Sequence, residues 1–433
     1  MEAFVDRLRG PSTNRYRLAT TLKGHDAPIN TLAFNLQGTL LASGGDDEEV
    51  KIWEMNRYTL LQTIADENRR WGQVTCLKFI TFEGAAAPSD WLFFGTGRGF
   101  FLGYRRPRKV GLNQQFSKRI FAPGDSVEAF DVDRNYQRIV LSSHNGVIKL
   151  CSIDEGNITE VWQAELLDLI PRSVRFVDSG RMIFIYGMEI GLLVCRDSET
   201  SVEKFTRKLI TPVGDVSVCS STGAVAIDNM KNGFDLYPPN RINATSTFVV
   251  ECTRNFVKKS AFGEAGKVLV CGSDHGAVYI FSPSEGTNPL QILKHGPRSH
   301  MIQSVETITT PDDHIIASAA STGCYKIKIW KKKARSTTSQ SDGSGAHFFA
   351  NLLLLFLIAY LTVDRWLPIL KAQLELLAAR LEPMQTEGPS HFLKDFDDVA
   401  IRKLFDKEEL LEYRRFLGIQ EDSVGLNGYE EEV

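Results

Sequence analysis

The sequence predicts an all-β body of seven repeated units closed into a ring, followed by a linker, one transmembrane helix and a short α-helical tail. Three observations predict it. Seven strand-like runs end at Trp53, Tyr104, Cys151, Cys195, Tyr237, Phe281 and Trp330, spaced by 51, 47, 44, 42, 44 and 49 residues. A short β-branched or aliphatic run closed by a Gly-containing turn precedes each, as in Ile139–Gly146, Val268–Gly276 and Ile315–Gly323, which reads as strands. After Lys333 the composition breaks, and an apolar run starts at Phe348. A period of this size marks units that cannot bury their own faces and must stack.

The first unit is the most explicit. Leu22-Lys-Gly-His25, Leu40-Leu-Ala-Ser43-Gly-Gly-Asp-Asp47 and Val50-Lys-Ile-Trp53 together resemble a WD repeat, one four-stranded blade of a β-propeller. The resemblance implies a seven-bladed WD-repeat β-propeller over residues 15–333. It also implies a buried hydrogen-bond chain of His25, Ser43, Asp47 and Trp53: the carboxylate accepts from the imidazole, the imidazole bonds the hydroxyl, and the hydroxyl accepts from the indole. A Ser, a His and an Asp also invite a hydrolase reading. The repeat accounts for all three, and the hydroxyl is expected to point inward.

The other six units depart from this pattern. Their Trp column reads Tyr104, Cys151, Cys195, Tyr237, Phe281 and Trp330, and their Asp column includes Asn145, Glu189, His275 and Cys324. These departures predict a ring sealed more by packing than by polar chains. Closure follows from strand bookkeeping. Tyr16–Leu22 reads as a strand, while the seventh unit ends at Trp330 with no outer strand of its own. Pairing the two removes the exposed edge.

Composition sets the function class. The chain has 433 residues, 43% hydrophobic, and a net charge of −3, with no overall pull toward nucleic acid or membrane. Seven cysteines (Cys76, Cys151, Cys195, Cys219, Cys252, Cys271, Cys324) include no Cys-x-x-Cys and predict reduced thiols in a cytosol-facing domain. The sequons at Asn157 and Asn243 would matter only in a secretory lumen. Gly95-Thr-Gly-Arg-Gly99 leads into a strand and lacks a phosphate-loop lysine. The eight histidines show no metal spacing. Neither cofactor nor metal, small-molecule substrate nor catalytic centre is expected.

Residues 334–346 read as a flexible linker. Phe348–Val363 holds eleven Leu, Ile, Phe or Val in 16 residues, worth roughly 3–7 kcal/mol of insertion energy. The span is placed at 347–370, with a buried or peripheral helix as the alternative. Met1–Gly10 has no apolar core, so no signal peptide is expected. Lys331, Lys332, Lys333 and Arg335 flank the span more tightly than Arg365, Lys371 and Arg380. That bias puts the propeller in the cytosol and the tail across the membrane, and a short span points to the thin bilayer of the endoplasmic reticulum. Residues 371–390 carry a Leu370, Leu374, Leu377, Leu381 stripe that either pairs weakly with a copy of itself or lies along the membrane. Residues 391–433 form an acidic helical tail with twelve acids against six bases.

Basic residues concentrate around the second unit: Arg69, Arg70, Arg98, Arg105, Arg106, Arg108 and Lys109, then Lys118 and Arg119. They are the candidate partner-binding set, suited to an acidic protein, to anionic lipid near the anchor or to nucleic acid, with a solvated loop as the alternative and a nuclear-import-like run in Arg105–Lys109. The expected function is a membrane-anchored, non-enzymatic scaffold that binds proteins through its propeller faces. The order of segments is also similar to the propeller exchange factors that load a coat-forming small GTPase at the endoplasmic reticulum.

Overall fold

The computed structural model describes residues 15–334, apart from 83–88, 107–110, 136, 155, 189–190 and 240–242, together with Ala372. The linker, the span between Phe348 and Val363, the helix after it and the acidic tail lie outside the described residues. Among the described residues no helix is long and apolar enough to cross a membrane.

Seven four-stranded antiparallel sheets form the ring. The chain opens with β1 (Arg17–Lys23), then lays down the first blade as β2 (Ile29–Phe34), β3 (Leu40–Gly45), β4 (Glu49–Glu54) and β5 (Thr59–Ala65). The second blade is β6 (Val74–Phe82), β7 (Ser89–Thr96), β8 (Phe100–Arg105) and β9 (Asn113–Arg119). Four further complete blades follow, with inner strands Val127–Asp133, Pro171–Val177, Val216–Val218 and Ser260–Gly263. The seventh has only Ile302–Thr309, Asp313–Ala320 and Lys326–Lys333 of its own. Strand β1 completes it, with Leu18 opposite Trp330 and Leu22 opposite Ile327. Ring closure by the N-terminal strand is therefore as the sequence predicts.

Each sheet buries both surfaces, and the strands show how. Alternate side chains of a strand point to opposite sides. In β7, Leu92 and Phe94 pack toward the first blade with Leu40, Val50 and Val74, whereas Trp91 and Phe93 pack toward the third with Phe130 and Leu141. Seven such clusters occupy the seven blade-to-blade boundaries. Glycine makes close approach feasible at two of them: a Cβ on Gly44 or Gly95 would collide with Val74 or Val127 of the next blade. All seven cysteines are free thiols, four of them buried.

An antiparallel meander sends alternate loops to opposite ends. Face one holds the loops between blades and those joining each blade's second and third strands. Face two holds the remaining turns. Strand β1 starts, and Lys326–Lys333 ends, on face two.

Candidate interaction faces

The polar chain of the first blade closes as the residue types require. Trp53 Nε1 donates to Ser43 Oγ at 2.9 Å, Ser43 Oγ meets His25 Nε2 at 2.7 Å, and His25 Nδ1 meets Asp47 Oδ2 at 2.7 Å. Asp47 accepts only if Nδ1 carries the proton, so Nε2 takes the hydroxyl hydrogen. Burial works to raise the Asp47 carboxyl. The His25 bond and the N–H groups of Asp26 and Glu49 outweigh it and leave the carboxyl below its usual range. Ser43 is fully buried, so this triad presents no nucleophile to solvent. Ser43→Ala strands both the indole and the imidazole, and at about 1–3 kcal/mol per orphaned group it should cost about 2–6 kcal/mol in urea unfolding. A cost near zero would mean the chain does not hold the blade.

The other blades carry polar devices that the column reading missed. In the seventh, His295 Nδ1 meets Ser318 Oγ at 2.8 Å and Trp330 Nε1 donates to the same oxygen at 2.9 Å. Among the described residues no acid completes it, and His295 Nε2 is buried without a hydrogen-bond partner there. Burial, then the charges of Lys328 and His300, push the His295 imidazole down to about 3, so it stays neutral. In the sixth blade the acid is Asp274, not the expected His275. Asp274 Oδ2 accepts from Thr253 N, Thr253 Oγ1 and Arg254 N at 2.6, 2.8 and 2.6 Å, and His275 joins Asp274 to Tyr279. Burial works to raise the Asp274 carboxyl, yet these donors bring it to about 2. In the fifth, Asp228 and Lys258 form a pair with both side chains fully buried, Nζ to Oδ1 3.5 Å. The ring is thus held by polar chains as well as packing.

The five basic candidates among the described residues divide between the two faces. Arg69, Arg70 and Arg98 lie on face one. Arg98 Nη1 donates to Arg69 O at 2.8 Å, and Arg70 grips Asp66 through Nε and Nη2 at 2.9 and 2.8 Å. That grip holds the Asp66 carboxyl down to about 2. Arg105 and Arg106 sit at the far end of β8, on face two, roughly 17 Å away at 3.4 Å per residue. The Arg105 guanidinium lies 5.9 Å from the Trp91 ring, and Arg106 N–H donates to Asp90 O. Arg108 and Lys109 fall outside the described residues. Of the two later bases, Lys118 Nζ donates to Ile158 O of the third blade, and Arg119 stacks on Phe100.

Face one also exposes apolar side chains that sequence reasoning passed over. Leu167, Ile210 and Phe256 stand 87%, 74% and 50% exposed in three successive inter-blade loops, from the third blade to the sixth. Their signal was present as apolar residues inside turn segments. Between the faces runs a channel of about 840 Å³ lined by all seven inner strands. Two ion pairs lie in it, Arg172–Glu128 at 2.6 Å and Lys78–Asp131 at 2.8 Å, beside Lys259, Glu306 and Asp215. Among the described residues no group of His, Cys, Asp or Glu could hold a metal ion.

Comparison with known families agrees with this architecture. The family "WD domain, G-beta repeat" matches residues 16–54. That stretch begins in β1, the outer strand of the seventh blade, and runs through β2 to β4 of the first. The chain is a seven-bladed propeller whose first repeat matches this family. The propeller is 49% identical over 39 residues to the Periodic tryptophan protein 2 homolog of Schizosaccharomyces pombe, covering 9% of this chain and 5% of that protein. It is 42% identical over 50 residues to COMPASS component SWD3 of Saccharomyces cerevisiae, covering 12% and 16%. It is 37% identical over 59 residues to Protein ALTERED SEED GERMINATION 2 of Arabidopsis thaliana, covering 14% and 8%. The matches therefore span 5 to 16% of the length of these curated relatives.

Proposed function

We propose that this propeller is a non-enzymatic, membrane-anchored scaffold that holds protein partners on face one, in the cytosol. The observation that carries the reading is the row Leu167, Ile210 and Phe256. Single exposed apolar residues are ordinary on any surface. Three in successive loops of one rigid face make an apolar arc of the kind that marks contact with another protein. A blade ring suits the role, because rigid sheets position loops that are free to vary. The yeast relative is by its name a component of a larger assembly, which is in keeping with a scaffold. Residues 347–370 supply the anchor, and their apolar run suits the endoplasmic reticulum.

The test is affinity capture from detergent-solubilised native membranes. The combined change Leu167→Glu, Ile210→Glu, Phe256→Glu should empty the captured set while leaving thermal unfolding intact. Arg105→Glu with Arg106→Glu, on the opposite face, should leave the set in place. Capture insensitive to the first variant would discard face one as the docking side. The order propeller, apolar run and tail also supports exchange-factor activity as a second reading. Accelerated nucleotide release from one member of a panel of small GTPases would establish it.

A further inference from the structure

Both ends of the ring leave from face two. The Tyr16 hydroxyl donates to Glu264 at 2.8 Å, and Ala334 N–H donates to Asp312 O at 2.9 Å, both acceptors being in face-two turns. Basic side chains gather around this exit on three adjacent blades. Lys331 and Lys333 are held by Asp313 at 3.4 and 3.1 Å, and Lys332 by Glu264 at 2.7 Å. Arg17 and Arg57 reach solvent with no carboxylate partner among the described residues. Exposed Arg105 rests on Trp91, and Arg106 donates through its backbone N–H to Asp90 O. Among the described residues Glu54, Asp90 and Asp312 are carboxylates of the arc without a cation partner, the Asp90 carboxylate being held by Thr81 and Asn35, and the basic side chains still outnumber the acidic ones. Lys331 stacks on Tyr58 at 5.5 Å, joining the seventh blade to the first across it.

We propose that this arc of Arg17, Arg57, Arg105 and Arg106 on face two meets the anionic headgroups of a lipid bilayer. Two observations choose the bilayer over another occupant. Thirteen residues of sequence separate Ala334, which leaves the ring on face two, from the apolar run that starts at Phe348, so on the anchor reading face two is the face from which the chain departs shortly before it meets the membrane. The free groups are guanidiniums, which grip phosphate and carboxylate oxygens in pairs, and an anionic leaflet draws such cations within a Debye length. The location rests on the anchor reading, but the test does not.

The ring buries all seven of its cores within its own strands, so residues 1–337 can be tested as a separate polypeptide, with cooperative thermal unfolding as the fold control. It is sedimented with vesicles of phosphatidylcholine alone, or of phosphatidylcholine with phosphatidylserine. Binding is expected only to the anionic vesicles and should fall as salt rises. Arg57→Glu, Arg105→Glu and Arg106→Glu combined should weaken it at least about tenfold. Lysine at the same three positions, or Arg70→Glu with Arg98→Glu on face one, should retain it. No binding to anionic vesicles, the result an acidic protein as occupant predicts, overturns the proposal. So does undiminished binding by the triple glutamate variant. Extraction of the full chain by alkaline carbonate would remove the anchor reading and leave the vesicle result standing.

Discussion

Removal of residues 1–23 should abolish cooperative unfolding and turn the protein into a self-associating species on size exclusion. Strand β1 is the outer strand of a blade whose other three strands come from the far end of the chain. Its loss withdraws six paired positions from the Lys326–Lys333 strand and leaves a row of open N–H and C=O groups, a template for pairing with another molecule. It also removes Leu22 from the cluster with Ile29, Leu32, Phe34, Trp53 and Ile327. Tyr16 goes too, with its bonds to Glu264 and Gln291 of the sixth blade. A buried Leu contributes about 1.5–3 kcal/mol. With the ladder and the Tyr16 bonds, the loss approaches the about 5–15 kcal/mol that holds a whole domain together. A milder change separates closure from chain length: Leu22→Asp should lower the urea midpoint sharply without shortening anything. Added in trans, a peptide of residues 12–25 should return the truncated chain to a monomer. A truncated chain that unfolds like the intact one would show that the ring does not depend on this seam.

Asp228→Ala carries the second largest expected effect. Asp228 ends a strand of the fifth blade and Lys258 lies in the loop leading to the sixth, with neither side chain reached by solvent. Burial pushes the Asp228 carboxyl up to about 6, against the pull of the Lys258 charge and the backbone N–H groups of Lys258 and Met230. It is ionised at neutral pH, and it accepts from Lys258 N at 2.8 Å while Lys258 Nζ donates to Phe256 O at 2.8 Å. Removing the carboxylate leaves a buried ammonium with one carbonyl, at a cost of about 3–5 kcal/mol. Lys258→Met alone should cost a similar amount, by stranding the carboxylate. The two sites are in contact, so the costs should not add. Asp228→Leu with Lys258→Met should recover most of the loss, because an apolar pair does without the desolvation both ions suffer. Additive losses in a double-mutant cycle would mean the two groups act apart. The same pair fixes the loop that carries Phe256, so the Asp228→Ala protein should also weaken capture on face one.

What could be read from the chain follows the range of each signal. Period-two apolar runs are local, and Trp91 to Phe94 state in four residues that the second blade is covered on both sides. The His25, Ser43, Asp47 and Trp53 set was legible because all four residue types stand at the matching places of one repeat. The seventh blade hid its chain by spacing. Trp330 follows Ser318 by twelve residues where Trp53 follows Ser43 by ten, and His295 stood among histidines that looked scattered. In the sixth blade the count fell one residue late, on His275 instead of Asp274. The described basic residues divide between the faces for a different reason. Arg98 and Arg105 are close in sequence, but a strand joins them, and a strand carries its ends apart. Only an extended β8 tells which face each belongs to.

The seam at β1 has a consequence for synthesis. Of the ring's strands β1 is made before the others and finds its partner last, because Lys333 must be made before the pairing can form. At roughly 5–20 residues per second, Leu22 and its neighbours wait for tens of seconds while six blades assemble ahead of them. During that interval each nascent chain on a polysome offers an open β1, which the newly finished seventh blade of a chain ahead of it could take up. Chaperone cover over the first two dozen residues would keep neighbouring copies from exchanging them.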